Sequence, residues 1–403
     1  MATTTKHKEL TFRERLRFAR KQRIRELRAE GLSRDVCSID YTFLFIVIVL
    51  VALGTLMVFS ASYAYAKEHY EDSYYFAMKQ ILWVGLGTVA MLIMTFLVDY
   101  LLLWRVHKII FYGAMALMIL VLIFGFEAKG ATRWFIIGPI NFQPSEIAKL
   151  AIIMYFADYI GHNRGAGRTV IGQALPYLTV GGYMAITLLL EPHISCCVIV
   201  LLLIFVLMLF GGVSGKLIGW LTLIGIAAVA FMIAVSSHAR LRILSWWFPE
   251  DYPAEAWQPL QSLYAIGSGG FWGAGLGQST QKHLYLPEPQ NDYIFPVGCE
   301  ELGFVFAVGV ILLFLALVWR GIYIAKHAPS AYSCLVVVGI IAQVGIQAFL
   351  NIGVVTNSLP STGVSLPFFS YGGTSLIILM AEMGMILNVS RYRYRYSRKE
   401  NEE

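Results

Sequence analysis

Apolar runs of about twenty residues, separated by short polar breaks, set the pattern of the chain. The first, "YTFLFIVIVLVALGTLMVFSAS" from Tyr41, holds more than eighteen residues without a charge. As a helix it would cross the roughly 30 Å of a bilayer's hydrocarbon. Runs of the same kind begin near Phe76, Leu101, Ser145, Ile171, Ile194, Lys216, Pro296, Ala331 and Ser370. The pattern predicts an all-α polytopic membrane protein with about ten transmembrane helices over 41–390. A basic arm, 1–40, precedes the spans and a basic tail, 391–403, follows them. A long segment, 237–296, separates the seventh span from the eighth.

Composition agrees with that pattern. Of 403 residues, 58% are hydrophobic and 14% charged, whereas a soluble domain carries roughly a quarter charged residues. The first apolar run begins only after the charged 40-residue arm, so no cleaved signal peptide is expected. The five cysteines (Cys37, Cys196, Cys197, Cys299, Cys334) are odd in number and lack metal-ligand spacing, which reads as small core residues.

Charge sets the orientation. With both termini cytoplasmic, twenty-three of the 31 Lys and Arg fall on the inner side and eight on the outer, the asymmetry of the positive-inside rule. Outside the two tails, thirteen of sixteen Asp and Glu fall in the outer half. The polar machinery therefore faces outward, and 237–296 becomes a large extracellular loop. Its aromatic and acidic part, "SWWFPEDYPAEAW", suits the headgroup level. Its glycine-rich part, "GSGGFWGAGLG", is read either as a tight backbone near a polar ligand or as a bend in a re-entrant segment. In the N-terminal arm Thr11 and Glu14 stand at capping-box spacing, so the arm is read as a basic interfacial helix or as a solvated, topology-setting arm.

Three stretches could carry chemistry. In "GATRWFIIGPINFQPSEIAKL", Glu146 and Lys149 are three apart and share a helix face. They form either a structural ion pair or, with Arg133 on the same side, part of a site for a phosphate-bearing ligand. In "LYLPEPQNDYIFPVGCEELG", Asp292 stands at the outer mouth, reachable from water and suited to proton transfer or metal contact. Glu300 and Glu301 lie deeper, where a structural hydrogen-bonding role is expected, and Glu288 reads as a loop acid. The Gly-, Pro- and Ser-rich "NIGVVTNSLPSTGVSLPFFSYGGTS" reads as a cavity wall or as a simple re-entrant connector, because irregular backbone at membrane depth must be buried or line a cavity.

These motifs together resemble the SEDS family (shape, elongation, division and sporulation). The matching stretches are "GATRW", "FQPSEIAKL", "WQPLQSLYAIGSGGFWGAGLG", "YLPEPQNDYIF", "EELGF" and "STGVSLPFFSYGGTS", in the family's order from Gly130 to Ser375. Their wording is closer to the FtsW/SpoVE branch than to RodA. The resemblance implies a peptidoglycan glycosyltransferase in the bacterial cytoplasmic membrane. Such an enzyme polymerises lipid II at the outer face during division or sporulation. The implied partners are a class B penicillin-binding transpeptidase and other divisome proteins, with no nucleic acid. Asp292 would be the catalytic carboxylate or would hold a divalent cation, Mg or Mn. Glu146 would orient Lys149. Lys149, Arg133, Lys282 and Arg242 would bind diphosphate, and Gln258 and Ser370 belong to the expected substrate-binding set. The Gly-rich and "SYGGTS" segments would line the cavity.

The chain departs from the family pattern at "EPHISC", where "PDLGT" is usual and His193 replaces an acid. It also departs at "TNSLP" and at Pro296. Two other readings compete with the enzyme: a lipid II flippase, which should show a polar route to the inner leaflet, and a non-catalytic scaffold.

Overall fold

The computed structural model describes residues 32–33, 38–98, 100–128, 131–138, 140–163, 170–392 and 395–396. The helix expected in the N-terminal arm and the end of the basic tail lie outside the described residues. Leu32 and Ser33 pair antiparallel with Tyr396 and Arg395, which joins a segment before the first span to one after the last.

Seven long helices come first: α1 (Tyr41–Tyr70), α2 (Tyr75–Leu92), α3 (Tyr100–Phe124), α4 (Pro144–Asn163), α5 (Val170–Leu190), α6 (Ile194–Gly211) and α7 (Gly215–Val235). Two shorter ones, α8 (Ser237–Trp247) and α9 (Pro253–Ser268), occupy the segment expected as an outer loop. Three long helices close the chain: α10 (Ile294–Lys326), α11 (Ala331–Val355) and α12 (Gly373–Arg391). Nine of the described helices have the length and apolar composition to cross a membrane. α4 has the length but carries Glu146, Lys149 and Asp158. It packs between α3 and α11, so the expected bundle stands with one polar member.

Local chemistry explains several helix ends. Asp40 caps α1 by accepting from the Phe43 N–H at 3.0 Å. The same carboxylate takes a two-pronged pair of bonds from Arg320, both 2.9 Å, which ties the start of α1 to the inner end of α10. Ser330 and Ser333 form a reciprocal capping box at the start of α11, satisfying two otherwise orphaned donors. α2 and α12 lie against each other at small residues. A Cβ on Gly384 would fall inside the Met91 carbonyl, and such close approach is what small residues allow between membrane helices.

Two features depart from the sequence expectation. The segment before α4 folds as an antiparallel meander, β1 (Phe126–Ala128), β2 (Ala131–Ile137) and β3 (Ile140–Phe142), turning at Gly138 with φ 60. The glycine-rich segment is a tight bend, with positive φ at Gly270, Gly273, Gly275 and Gly277, and what it approaches is backbone. α10 breaks at Gly303, with φ 73 and ψ −167, and the glycine-rich backbone docks into that break. Ala274 and Gly275 donate to the carbonyls of Glu300 and Glu301, each at 2.9 Å, and Phe304 donates back to Gly270 at 2.9 Å. Side chains at Gly269, Gly273 or Gly303 would collide with the facing backbone. The glycines permit backbone-to-backbone contact, and none of them lines the cavity.

Candidate active site

The irregular outer segments enclose a cavity of about 450 Å³. β2 contributes Arg133, α4 contributes Glu146 and Lys149, and the turn between α5 and α6 contributes His193. The loop before α10 supplies Glu288, Asn291 and Asp292, and 363–373 supplies a backbone wall that includes Ser370. Gln343 and Gln347 of α11 carry the lining downward. Gln343 lies twelve residues inside the outer end of its helix, so at 1.5 Å per residue the cavity reaches roughly 18 Å along α11.

One asparagine joins the two irregular walls. The Asn351 side chain donates to the carbonyls of Asp292 and Val364, each at 2.7 Å, and Asn351 is 1% exposed. Asp292 also sits against Gly363, where a Cβ would come within 3.3 Å of its Oδ2. Glu288 and Phe368 both line the cavity with positive φ, 47 and 67. Backbone held in that region by non-glycine residues is concentrated at functional sites. Ser370 closes its turn by accepting from the Leu366 N–H at 2.8 Å.

The charges form an ordered set. Lys149 pairs with Glu146 at 2.8 Å and is almost wholly buried, as their shared helix face predicts. Arg133 is fixed by carbonyls: its Nε donates to Glu191 at 3.0 Å and a terminal nitrogen donates to Pro192. Burial and Arg242 lower the pKa of Arg133, while Glu191 and Asp292 oppose the shift. Burial likewise lowers Arg242, opposed by Tyr293 and Asp292. Asp292 is therefore the carboxylate that both arginines feel. Burial, Arg133, Lys149 and Arg242 hold the His193 imidazole well below its ordinary range. It is neutral at physiological pH, and its Nδ1 is buried without a protein partner. The acid that the family pattern places at 193 is absent. Glu191 stands two residues earlier beside Arg133, its carboxyl raised by burial to about 8.

The structure brings Asp292, Glu146, Lys149, Arg133 and Ser370 together. Arg242 lies one layer out, lining a small adjoining cavity with Asn357 and Ser361. Two expected ligands are elsewhere. Lys282 is 2% exposed and pairs with Glu301 at 2.7 Å. Its charge is consumed by an acid that Ser60 also contacts, so it locks α1 to α10 and does not reach the cavity. Gln258 donates to the Pro287 carbonyl at 3.3 Å on the exposed side of the same loop. Glu300 accepts from Ser279 and Thr280, the structural role expected of it. Sequence reasoning missed Lys79 and Gln343, both in the lining. Each lies in a mostly apolar run, Lys79 beside Gln80 and Gln343 one turn before Gln347, a polar pattern too sparse to point to a site before the helices are packed. Among the described residues no three His, Cys, Asp or Glu side chains converge as a metal cluster.

Comparison with known proteins accounts for this arrangement. Residues 41–395 match the FtsW/RodA/SpoVE family model, described as cell cycle protein. Stage V sporulation protein E of Bacillus subtilis (strain 168) is 38% identical over 88% of this chain and 97% of its own length. "Probable peptidoglycan glycosyltransferase FtsW" of Geobacter sp. (strain M18) is 35% identical over 89% and 98%. Among solved structures, a chain from a peptidoglycan synthase complex superposes with a TM-score of 0.72 at 28% identity, covering 88% of this chain and 98% of that one. The rod shape determining protein RodA of Thermus thermophilus gives 0.67 at 29%, over 89% and 99%. With relatives of this kind and nine apolar helices, the chain is a multi-pass protein of the bacterial cell membrane. It belongs to the FtsW/RodA/SpoVE family of cell cycle proteins.

Proposed function

We infer that the protein is a peptidoglycan glycosyltransferase that polymerises lipid II at the outer face of the membrane, in division or sporulation. The observation that carries this reading is the cavity itself. A carboxylate and cations converge on it beneath a wall of irregular backbone, in a family whose relatives include named peptidoglycan glycosyltransferases. Glycan polymerisation needs a base for the attacking sugar hydroxyl and positive charge for the departing diphosphate.

Asp292 takes the proton of the acceptor's 4-hydroxyl as that oxygen attacks the donor's anomeric carbon. The bond from that carbon to the diphosphate oxygen breaks, and undecaprenyl diphosphate leaves with the electron pair. Arg133 and Lys149 stabilise the developing charge. Glu146 holds Lys149 in place, and Arg242 supports Asp292 from behind. The buried, unpartnered Nδ1 of His193 and Oε1 of Gln343 are ready to bond sugar hydroxyl and acetamido groups, since buried polar atoms seek partners. If a divalent cation takes part, Asp292 is the carboxylate that would hold it, and the ion would supply positive charge beside the diphosphate.

The partner in this reading is a crosslinking enzyme of the class B penicillin-binding type, within a larger division complex. A solved relative that occurs in a complex coordinating polymerization and crosslinking supports it. The test is incubation of the purified protein with lipid II in liposomes, with and without such a transpeptidase. Glycan strands are expected. Passage of labelled lipid II across the bilayer with no polymer formed would contradict the reading.

A further inference from the structure

Lys149 and Lys282 each meet a carboxylate, at 2.8 and 2.7 Å. Lys79 does not. It lines the cavity from α2, half-buried, and among the described residues no carboxylate pairs with it. Its Nζ lies 3.9 Å from the Tyr75 ring centroid and donates to the Tyr75 hydroxyl. An ammonium has three donors, so two remain for a ligand. A cation held at a polar cavity wall without a counter-charge is arranged to receive an anion.

This wall is built from other elements than β2 and α4, which carry Arg133 and Lys149. It consists of Lys79 and Trp83 from α2 with Tyr371, Gly372 and Gly373 from the segment entering α12. The Tyr371 ring stands edge-on to Phe76 at 5.0 Å. A Cβ on Gly373 would come within 2.7 Å of the Trp83 indole, so the two elements are in close contact there. Arg133, Lys149 and Arg242 all act electrostatically on His193, whereas Lys79 acts on Tyr371. The loop that carries Asp292 connects to this second wall: the Tyr371 N–H donates to the Gln290 carbonyl at 2.8 Å.

We propose that Lys79 marks a second anion subsite, which holds the diphosphate of one lipid-linked substrate while Arg133 and Lys149 hold that of the other. The proposal rests on the polymerase reading, because joining two lipid-linked saccharides brings two diphosphates to one site. Two such anions sharing one group of cations would repel each other strongly at short range. Cations on different elements, with Asp292 on a loop bonded to the segment that carries Tyr371, let the two chains bind together.

The test measures binding of undecaprenyl diphosphate to the full-length protein in detergent by native mass spectrometry, alongside the dependence of polymerisation rate on lipid II concentration. The parent should bind two molecules at saturation and Lys79→Gln one. Lys79→Gln should also need about tenfold more lipid II for half-maximal rate, the scale of one charge-assisted bond. Lys79→Arg should restore both, and an unchanged melting temperature would show that Lys79→Gln is folded. A parent that saturates with one molecule, or a Lys79→Gln protein that still binds two, would overturn the subsite. Two molecules bound with no polymer formed would instead overturn the polymerase reading and leave the subsite standing.

Discussion

At the scale of single residues, the ion pair of Glu146 and Lys149 separates structure from chemistry. Lys149→Met leaves Glu146 without its partner and should lower stability by on the order of 3 kcal/mol, the low end for a broken buried pair, because the Glu146 side chain keeps 17% exposure. Adding Glu146→Gln should recover most of that loss in thermal melting but none of the polymer yield, since Lys149, the cation proposed for the diphosphate, is still missing. Glu191 gives a pH test. Its carboxyl is raised from 4.5 to about 8, so across that window the folded protein binds a proton that the unfolded chain releases. Stability from this group is full below pH 4.5 and is lost as pH rises through 8. Glu191→Gln should therefore melt at a temperature that falls less between pH 6 and pH 9 than that of the parent. An identical fall in both proteins would remove Glu191 from the account.

At the scale of elements, the break in α10 and the glycine-rich segment form one device. Gly303 adopts φ 73 and ψ −167, a region that residues with a Cβ avoid at a cost of about 1–3 kcal/mol. A Cβ there would also meet the Phe271 carbonyl at 2.5 Å. Gly303→Ala should lower the melting temperature and reduce polymerisation as the loop carrying Asp292 shifts. An unaltered melting temperature would show that the docking of 269–275 contributes nothing. This element also shows where sequence reading stops. The glycines of "GSGGFWGAGLG" announced a close approach, but what they approach is the backbone of Glu300 and Glu301, which only the folded chain brings near. α8 and α9 were hidden for another reason. Their short lengths and mixed aromatic, basic and acidic residues lack the uniform apolar run that disclosed the spans. Lys282 looked available because sequence places it on the outer side, whereas its pairing with Glu301 depends on a fold that seats α1 against both.

At the scale of the whole molecule, span positions and orientation were legible because each span is a local run and each loop charge adds to one side. The family motifs placed Asp292, Glu146, Lys149 and Arg133 at one cavity. The second wall, with Lys79 and Tyr371, was not legible, since it arises where α2 meets the start of α12. The resulting architecture is a bundle whose inner ends are tied by pairs such as Asp40 with Arg320 and whose outer half holds a polar cavity. The central claim is that Asp292 in that cavity drives glycan polymerisation. The most direct test is the rate of polymer formation from lipid II by purified Asp292→Ala beside the parent, each with and without an added class B transpeptidase and each shown to melt alike. Loss of a general base should lower the rate by about 10²–10⁴-fold. Polymer formed by Asp292→Ala at the parent rate would contradict the account.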